Sequence, residues 1–520
     1  MSAVSGMDTL AGEGEPSSEP ETAAKPAERS YLQIFKSSAI IAGSSMVTMC
    51  FSIVRNKSAA LWLGPEGVGL IGLFNSIIDL AMGLAGSGLA GSGVRQIAEA
   101  NGTGDAERVA KTATALKWLA LALGICGALL LVVFAAPVAS LTFGDPTHAT
   151  GVALIAAAVF LRLFASGQTS LLQGLRRIGE LAKVNILASF FGVASFVAMI
   201  WMFGKDGIVP ALIIEAAILT LLAWLFARRA TPAISGLSAR ALSSEAGEML
   251  RLGLVFMVNG LFMLGATYAV RIIVTHESGI AAAGLYQAAW ALASLYAGFI
   301  LQAMGVDFYP RLTAASHDNV ECNRLVNEQT QVSVLLAGPG LIATLTLAPV
   351  VVHLFYSAEF NDAVTILRWF CVGMMMRIIA WPMGFIVLAK NEQRIFFWTE
   401  LAAASIQVGL AWVLVKNFGP AGAGMAFFGL YIWHSLLIGF IVNRISGFRW
   451  SAENLRLGAL YIAATAIACL GFIGLENWQA LALGLGVTAI CSAHSLHSLL
   501  TLVPAERLPR LLKKFLPKSR

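Results

Sequence analysis

The stretch LGPEGVGLIGLFNSIIDLAMGLAGSGLAGSGVRQIAEA, Leu63 to Ala100, decides the fold. It opens on a Gly-Pro turn and runs through an apolar segment interrupted by one carboxylate, Asp79. It then thickens into glycines at Gly83, Gly86, Gly88, Gly91 and Gly93 and leaves the apolar region at Arg95. A membrane-spanning helix needs about 20 mostly apolar residues to cross ~30 Å of hydrocarbon, and this segment has that length. Helix is the form it must take. Lipid offers no partner for backbone N–H and C=O groups, and the run is too long and too apolar for a barrel strand.

The same pattern recurs outward in both directions. Spans are expected at about 34–63, 67–93, 116–142, 150–172, 183–204, 207–227, 250–274, 280–305, 330–356, 363–389, 395–417, 421–443, 455–475 and 478–503. Composition agrees. The 520 residues are 58% hydrophobic and only 12% charged, against about 25% charged in soluble domains, so lipid must solvate most of the surface. The net charge of +6 reads as a topology signal and not as a nucleic-acid surface. Most Lys and Arg fall in the tails, in alternate short loops, or at span ends that start there. Only Lys205, Arg368 and Lys416 fall on the other side. The positive-inside rule then sets both termini in the cytoplasm.

Residues 1–30 are rich in Ala, Ser, Pro and Glu. Such a composition buries too little apolar surface to offset the entropy of ordering, so a disordered cytoplasmic tail is expected, and it lacks the basic start and apolar core of a signal peptide. Cys50, Cys126, Cys322, Cys371, Cys469 and Cys491 form no CxxC pair and read as small buried hydrophobes, with no disulfide framework and no metal site.

A weak internal repeat relates Gly72-Leu73-Phe74-Asn75 to Gly284-Leu285-Tyr286-Gln287. Each follows a span carrying a basic residue, Arg55 or Arg271, and each precedes a cytoplasmic arginine, Arg95 or Arg311. Two parallel six-helix lobes follow from it. The expected organisation is a lobe at 31–228, a linker at 229–248, a lobe at 249–443, two added spans within 444–503 and a basic tail at 504–520. The fold class is all-α integral membrane, with about fourteen spanning helices.

Charges within the spans are the candidates for function, because each costs about 2.5–3.5 kcal/mol at the bilayer centre. They are Arg55, Lys57, Asp79, Arg162, Glu215, Arg271 and Arg377. Two anions cannot neutralise five cations. The surplus points to a cavity that attracts an anion, with Arg55, Arg162, Arg271 and Arg377 as its lining, since guanidinium forks match phosphate oxygens. Lys57 lies near the outer end of its span and can snorkel. Asp79 and Glu215 either pair with these arginines or hold a coupling ion. Asp307 and Glu400 lie near cytoplasmic ends and are expected to be solvated. Asn259, Gln302, Gln407 and His434 suit helix–helix hydrogen bonds. The glycines ending span 2 suit close packing or a hinge, and Pro339 and Pro382 can kink their helices.

No GxxxxGK[ST] loop, HExxH or GxSxG is present, and no large outer loop carries an acidic pair. Transport, which needs no catalytic apparatus and no cofactor, fits better than catalysis. A membrane polymerase or transferase would need a long catalytic outer loop. A cation-coupled exporter would be expected to carry an acidic or aromatic cavity.

Three segments carry a family resemblance: Leu63–Ala100, QGLRRIGELAKVN at Gln173–Asn185, and GLYQAAWALASLYAGFILQAMGVDFYPRL at Gly284–Leu312. They resemble the Wzx-type flippases for O-antigen and enterobacterial common antigen, polysaccharide transporters of the MATE-like MOP superfamily, over about residues 31–443. The resemblance implies two six-helix lobes in a V, alternating access, and an undecaprenyl-pyrophosphate-linked oligosaccharide carried from the cytoplasmic to the periplasmic leaflet. It implies that a cationic cavity, matched here by span at Arg55, Arg271 and Arg377, receives pyrophosphate or acidic sugars. The partners it implies are the lipid-linked substrate and membrane lipids, with polysaccharide polymerase and chain-length proteins as further candidates. Many of these flippases have twelve spans, whereas fourteen match the peptidoglycan lipid-precursor flippases. The competing reading on the same fold is a multidrug or metabolite exporter.

Overall fold

The computed structural model describes residues 26–86, 88–230 and 239–502. Of the tails expected at 1–30 and 504–520, residues 1–25 and 504–520 lie outside the described residues, as do the middle of the linker and the side chains of Asn259 and Gln302, and residues 26–30 are helical. All regular structure among the described residues is helical. The helices are α1 (Pro26–Ala85), α2 (Leu89–Gly102), α3 (Ala106–Val133), α4 (Ala135–Phe143), α5 (Ala149–Gly174), α6 (Ile178–Phe203), α7 (Ile208–Ala227), α8 (Ala239–Ser278), α9 (Ile280–Ala303), α10 (Tyr309–Ala314), α11 (Asn319–Thr346), α12 (Ala348–Phe355), α13 (Ala363–Ala389), α14 (Gln393–Phe418), α15 (Ala421–Ser446), α16 (Ala452–Gly474) and α17 (Asn477–Leu502).

Each expected span falls on helix. By length and hydropathy nine helical stretches among the described residues qualify as membrane spans, or ten with the bent pair α11–α12. Two of these stretches each hold two rods. α1 is divided at Gly64, whose φ of 64° and ψ of −168° break the helical path, and Pro65 restarts it. Glycine takes that conformation without the Cβ clash, and proline suits a helix start because its missing N–H would be unpaired there. α6 and α7 are separated by a short 3-10 turn at Gly204–Gly207. Two helix starts are capped: the Asp105 carboxylate accepts from the Glu107 and Arg108 amides at 2.9 and 3.2 Å, and Asp318 caps α11 in the same way, satisfying amides a helix leaves open.

Lipid exposure is written on the outer faces. Trp201 and Val133 are 72% exposed, as is Leu436, and Ile490 is 69% exposed. So much uncovered apolar area is stable only against hydrocarbon.

The glycines ending span 2 both break the helix and permit contact. Gly88, at φ 66° between α1 and α2, leaves so little room that a Cβ there would lie 2.1 Å from the Gly253 carbonyl of α8. Pro339 and Pro382 do not end their helices, which run through them. The sharp bend of the ninth span, 82°, falls instead at Leu347 between α11 and α12. Pro349 stands at the start of α12, where it cannot donate back into α11.

Helices α1 to α7 pack mainly on one another, and α8, α9, α11 and α13 to α15 form the second group. The seam is built from α1 against α8 and α9 and from α2 and α3 against α8. The repeated segments meet there: a Cβ on Gly284 would lie 1.8 Å from the Pro65 carbonyl, and one on Gly72 would touch the Gln287 side chain at 3.3 Å. The added pair α16–α17 docks on α11. Tyr461, fully buried, fills the notch left by Gly338 and donates to the Cys491 carbonyl at 3.0 Å, beside the Ser495 hydroxyl.

Candidate functional site

Polar residues recur at helical spacing along the spans of the first group. Span 1 carries Ser44, Thr48, Ser52 and Arg55. Span 2 carries Asn75 and Asp79, α5 carries Arg162, Ser166 and Thr169, α6 carries Asn185 and Ser189, and α7 carries Glu215. Residues three or four apart share one face of a helix, so each span turns one polar stripe inward. The stripes converge on a cavity of about 660 Å³.

Inside it the charges pair. The Arg55 guanidinium grips Glu215 through Nε to Oε1 at 2.8 Å and Nη2 to Oε2 at 3.1 Å. Its plane lies 4.1 Å from the centre of the Phe196 ring. Arg162 approaches Asp79 at 3.9 Å and donates to the Asn75 amide oxygen at 3.4 Å. The Asp79 side chain is 53% exposed to the cavity, whereas the Arg55 and Glu215 side chains are 19% and 16% exposed.

The expectation of four arginines lining one cavity is corrected. Arg271 is at the seam, where Nη1 donates to the Gly72 carbonyl at 3.0 Å and to the Ser76 hydroxyl, both on α1. Arg377 lies in a separate cavity of about 90 Å³ between α8, α13, α14 and α15, with Trp290, Glu400, Gln407, Tyr431 and His434. It is buried, its guanidinium stands 4.5 Å from the Trp381 ring centre, and its Nε meets no hydrogen-bond partner among the described residues. Glu400, expected to be solvated, lines this small cavity and the apolar groove of about 370 Å³ beside it. Helix packing, invisible in sequence, divides the arginines.

Lys57 does not simply snorkel. Its Nζ donates to the His353 carbonyl at 2.8 Å and to the Tyr356 carbonyl. These oxygens close the C-terminal end of α12, where the helix dipole is negative. Two of the five cations thus pair with carboxylates, and Arg271 and Lys57 donate to neutral backbone and hydroxyl oxygens.

The hydroxyls were not singled out from sequence, although the four-residue spacing of Ser44, Thr48 and Ser52 in an apolar span was a readable signal. Ser45, Thr48 and Ser52 also line a second space of about 420 Å³ between α1 and α9, closed at one end by Phe355 and Tyr356. Among the described residues no cluster of His, Cys, Asp and Glu could hold a metal ion.

Helices grouped on both sides of a seam, with polar cavities inside the apolar rods, define a multi-pass membrane transporter fold. A multidrug resistance MATE family transporter of the MOP superfamily, in an inward-facing conformation, has the same fold at a TM-score of 0.66 and 18% identity, over 76% of this chain and 95% of that one. The lipid II flippase MurJ, in an inward closed conformation, matches at 0.63 and 12% identity over 90% of this chain and 100% of its own. The chain belongs to the polysaccharide biosynthesis protein family, whose pattern matches residues 60–365. It is 23% identical over 408 residues to the lipid III flippase of Escherichia coli strain K12, covering 77% of this chain and 96% of that protein. It is 22% identical over 370 residues to a probable low-salt glycan biosynthesis flippase of Haloferax volcanii, covering 70% of this chain and 74% of that one.

Proposed function

We propose that this protein is a flippase that moves an undecaprenyl-pyrophosphate-linked oligosaccharide from the cytoplasmic to the periplasmic leaflet of the inner membrane by alternating access. The observation that carries the reading is the polar cavity of about 660 Å³ that shares Ser45, Thr48 and Ser52 with the cleft between α1 and α9. A glycan needs a wet chamber inside the membrane, and its lipid tail needs a gap through which to remain in hydrocarbon. Sequence likeness to two flippases along most of their length supports the same reading.

Both termini lie in the cytoplasm in this reading. The two groups then meet at their outer ends through Lys57 on α12 and the Gly284–Pro65 contact and at their cytoplasmic ends through Gly88 against Gly253 and Lys111 with Glu245, and the cavity, lined toward the cytoplasm by Ser44 and Asn185, is loaded from that side. Rocking of the two groups about the seam, in which Arg271 is held by α1, exposes it outward. The residues proposed to act are Arg55, Arg162, Asp79 and Glu215 in the cavity, Arg271 at the seam and Arg377 in the second group. Polysaccharide polymerase and chain-length proteins are the proposed partners downstream.

The alternative is a cation-coupled exporter of the same fold. One observation favours it: with Arg55 and Arg162 paired to carboxylates, the lining of the larger cavity carries no net charge to repel a cationic cargo. The sequence relatives weigh toward the flippase. A deletion strain separates the two. Accumulation of undecaprenyl-pyrophosphate-linked oligosaccharide with loss of surface glycan is the flippase outcome. Unchanged lipid-linked sugars with raised sensitivity to cationic drugs is the exporter outcome.

A further inference from the structure

We infer that the cavity of the first group is a subsite for an uncharged oligosaccharide, read by hydroxyl and amide side chains, and that it discriminates against acidic sugars. The inference rests on the flippase reading above and goes beyond it in naming the chemistry of the glycan.

Charge is the first ground. The charged residues lining the cavity are Arg55, Arg162, Asp79 and Glu215, two of each sign, and they are paired as Arg55–Glu215 and Arg162–Asp79. A hexuronate entering there finds the Arg55 fork already filled in bidentate geometry. It also meets Asp79, the most exposed of the four, with like charge. To take the Arg55 fork it must displace Glu215 and leave it unpaired away from bulk water, which is unfavourable.

Hydrogen-bond polarity is the second. The Thr48 hydroxyl donates to the Ser45 carbonyl at 2.9 Å and Ser52 to the Thr48 carbonyl at 3.0 Å. Thr169 shares its proton between the Ala165 and Ser166 carbonyls, both at 3.1 Å. These three hydroxyls spend their donors on their own helix and turn oxygen lone pairs to the cavity, while Ser45, Ser166, Ser189 and Asn185 in the same lining can also donate to a ligand. One of the two Asn75 amide N–H groups is spent on the Ile71 carbonyl at 3.0 Å. A wall that offers both acceptors and donors suits hexoses and N-acetylhexosamines, whose hydroxyl and amide groups both donate and accept.

Size is the third. The volume of about 660 Å³ falls within the ~300–1,000 Å³ of small-molecule sites, which accommodates a short oligosaccharide and not a polymer.

The test uses the purified full chain in lipid nanodiscs and three probes: a polyprenyl pyrophosphate bearing a neutral trisaccharide, the same lipid with one sugar replaced by a hexuronic acid, and the bare polyprenyl pyrophosphate. The neutral glycolipid is expected to bind at least about tenfold more tightly than either of the others, that is, by about 1.4 kcal/mol. The double variant Asp79→Asn with Glu215→Gln frees both guanidinium groups and is expected to reverse the preference toward the uronate. Thr169→Val keeps the shape, removes an acceptor and weakens the neutral glycolipid severalfold without affecting the bare lipid, so it decides the matter if the double variant does not fold. Equal binding of neutral and acidic glycolipids overturns the inference and leaves the flippase reading standing. Equal binding of bare and glycosylated lipid removes the glycan subsite. Binding of none of the three overturns both readings.

Discussion

Arg55 and Glu215, 160 positions apart in sequence, meet as a bidentate pair at 2.8 and 3.1 Å and tie the first span to the sixth. Both side chains are less than a fifth exposed. Each neutralises the other, and neither is free to act as an isolated charge without leaving its partner stranded. Breaking such a pair by removing one partner costs about 3–5 kcal/mol when it is buried, whereas removing both is far less costly.

A double-mutant cycle follows. Glu215→Gln and Arg55→Gln singly are expected to lower the thermal midpoint in detergent by several degrees. The double variant should recover part of that loss, with a coupling of about 1–3 kcal/mol. Additive single effects would show that the pair is not formed.

Arg271 differs because its known partners, the Gly72 carbonyl and Ser76 hydroxyl, are neutral and sit across the seam. Arg271→Ala is expected to abolish translocation while membrane levels stay within about twofold of wild type. Arg271→Lys should restore part of the translocation, since both bonds leave a single nitrogen, Nη1, and one ammonium carries donors for two acceptors. Surface glycan and immunoblotting of the same strains measure both quantities. A fully active Arg271→Ala would remove the seam from the mechanism.

Lys57 joins the first span to the C-terminal carbonyls of α12. Lys57→Met keeps the length and removes the donors, so the outer ends should part more often. In a cysteine-free background carrying Asn56→Cys, a site that lines the cleft beside α9, labelling by a membrane-impermeant thiol reagent from outside should rise severalfold with Lys57→Met. An unchanged rate would mean that this contact does not hold the outer side closed.

Tyr461 anchors the added helices. Tyr461→Phe removes the bonds to Cys491 and Ser495 and should cost about 1 kcal/mol. Gly338→Ala should cost more, because its Cβ would stand 2.3 Å from the Tyr461 ring and the docking of α16 on α11 would have to shift. Thermal unfolding of both variants, with Gly458→Ala as a control in open space, checks the order.

The helices were legible because apolar runs of spanning length have one stable form in lipid, and Gly64-Pro65 announced its own break. Asp79, Arg162 and Glu215 stood out because charge in an apolar helix is costly. Their pairing was not legible. It depends on how α5, α6 and α7 rotate against α1, and nothing local in the chain encodes a contact over 160 positions. The same rotation sends Arg377 into a different cavity from Arg55. The bend at Leu347 was readable from Pro349 at the head of α12, but the more central Pro339 drew the expectation, and that helix runs through its proline. Span 7 was the hardest segment. The polar first half of α8, Ala239–Arg251, blurs its start, and α8 is not among the helices that meet the length and hydropathy test.

Reconstitution tests the central claim most directly. The full chain in proteoliposomes is given a fluorescent polyprenyl-pyrophosphate-linked neutral trisaccharide, and its transfer between leaflets is followed by protection from an external glycosidase. The account predicts transfer well above the protein-free rate, lost in Arg271→Ala. Transfer no faster than in empty liposomes, together with uptake or efflux of a cationic dye by the same preparation, would contradict it.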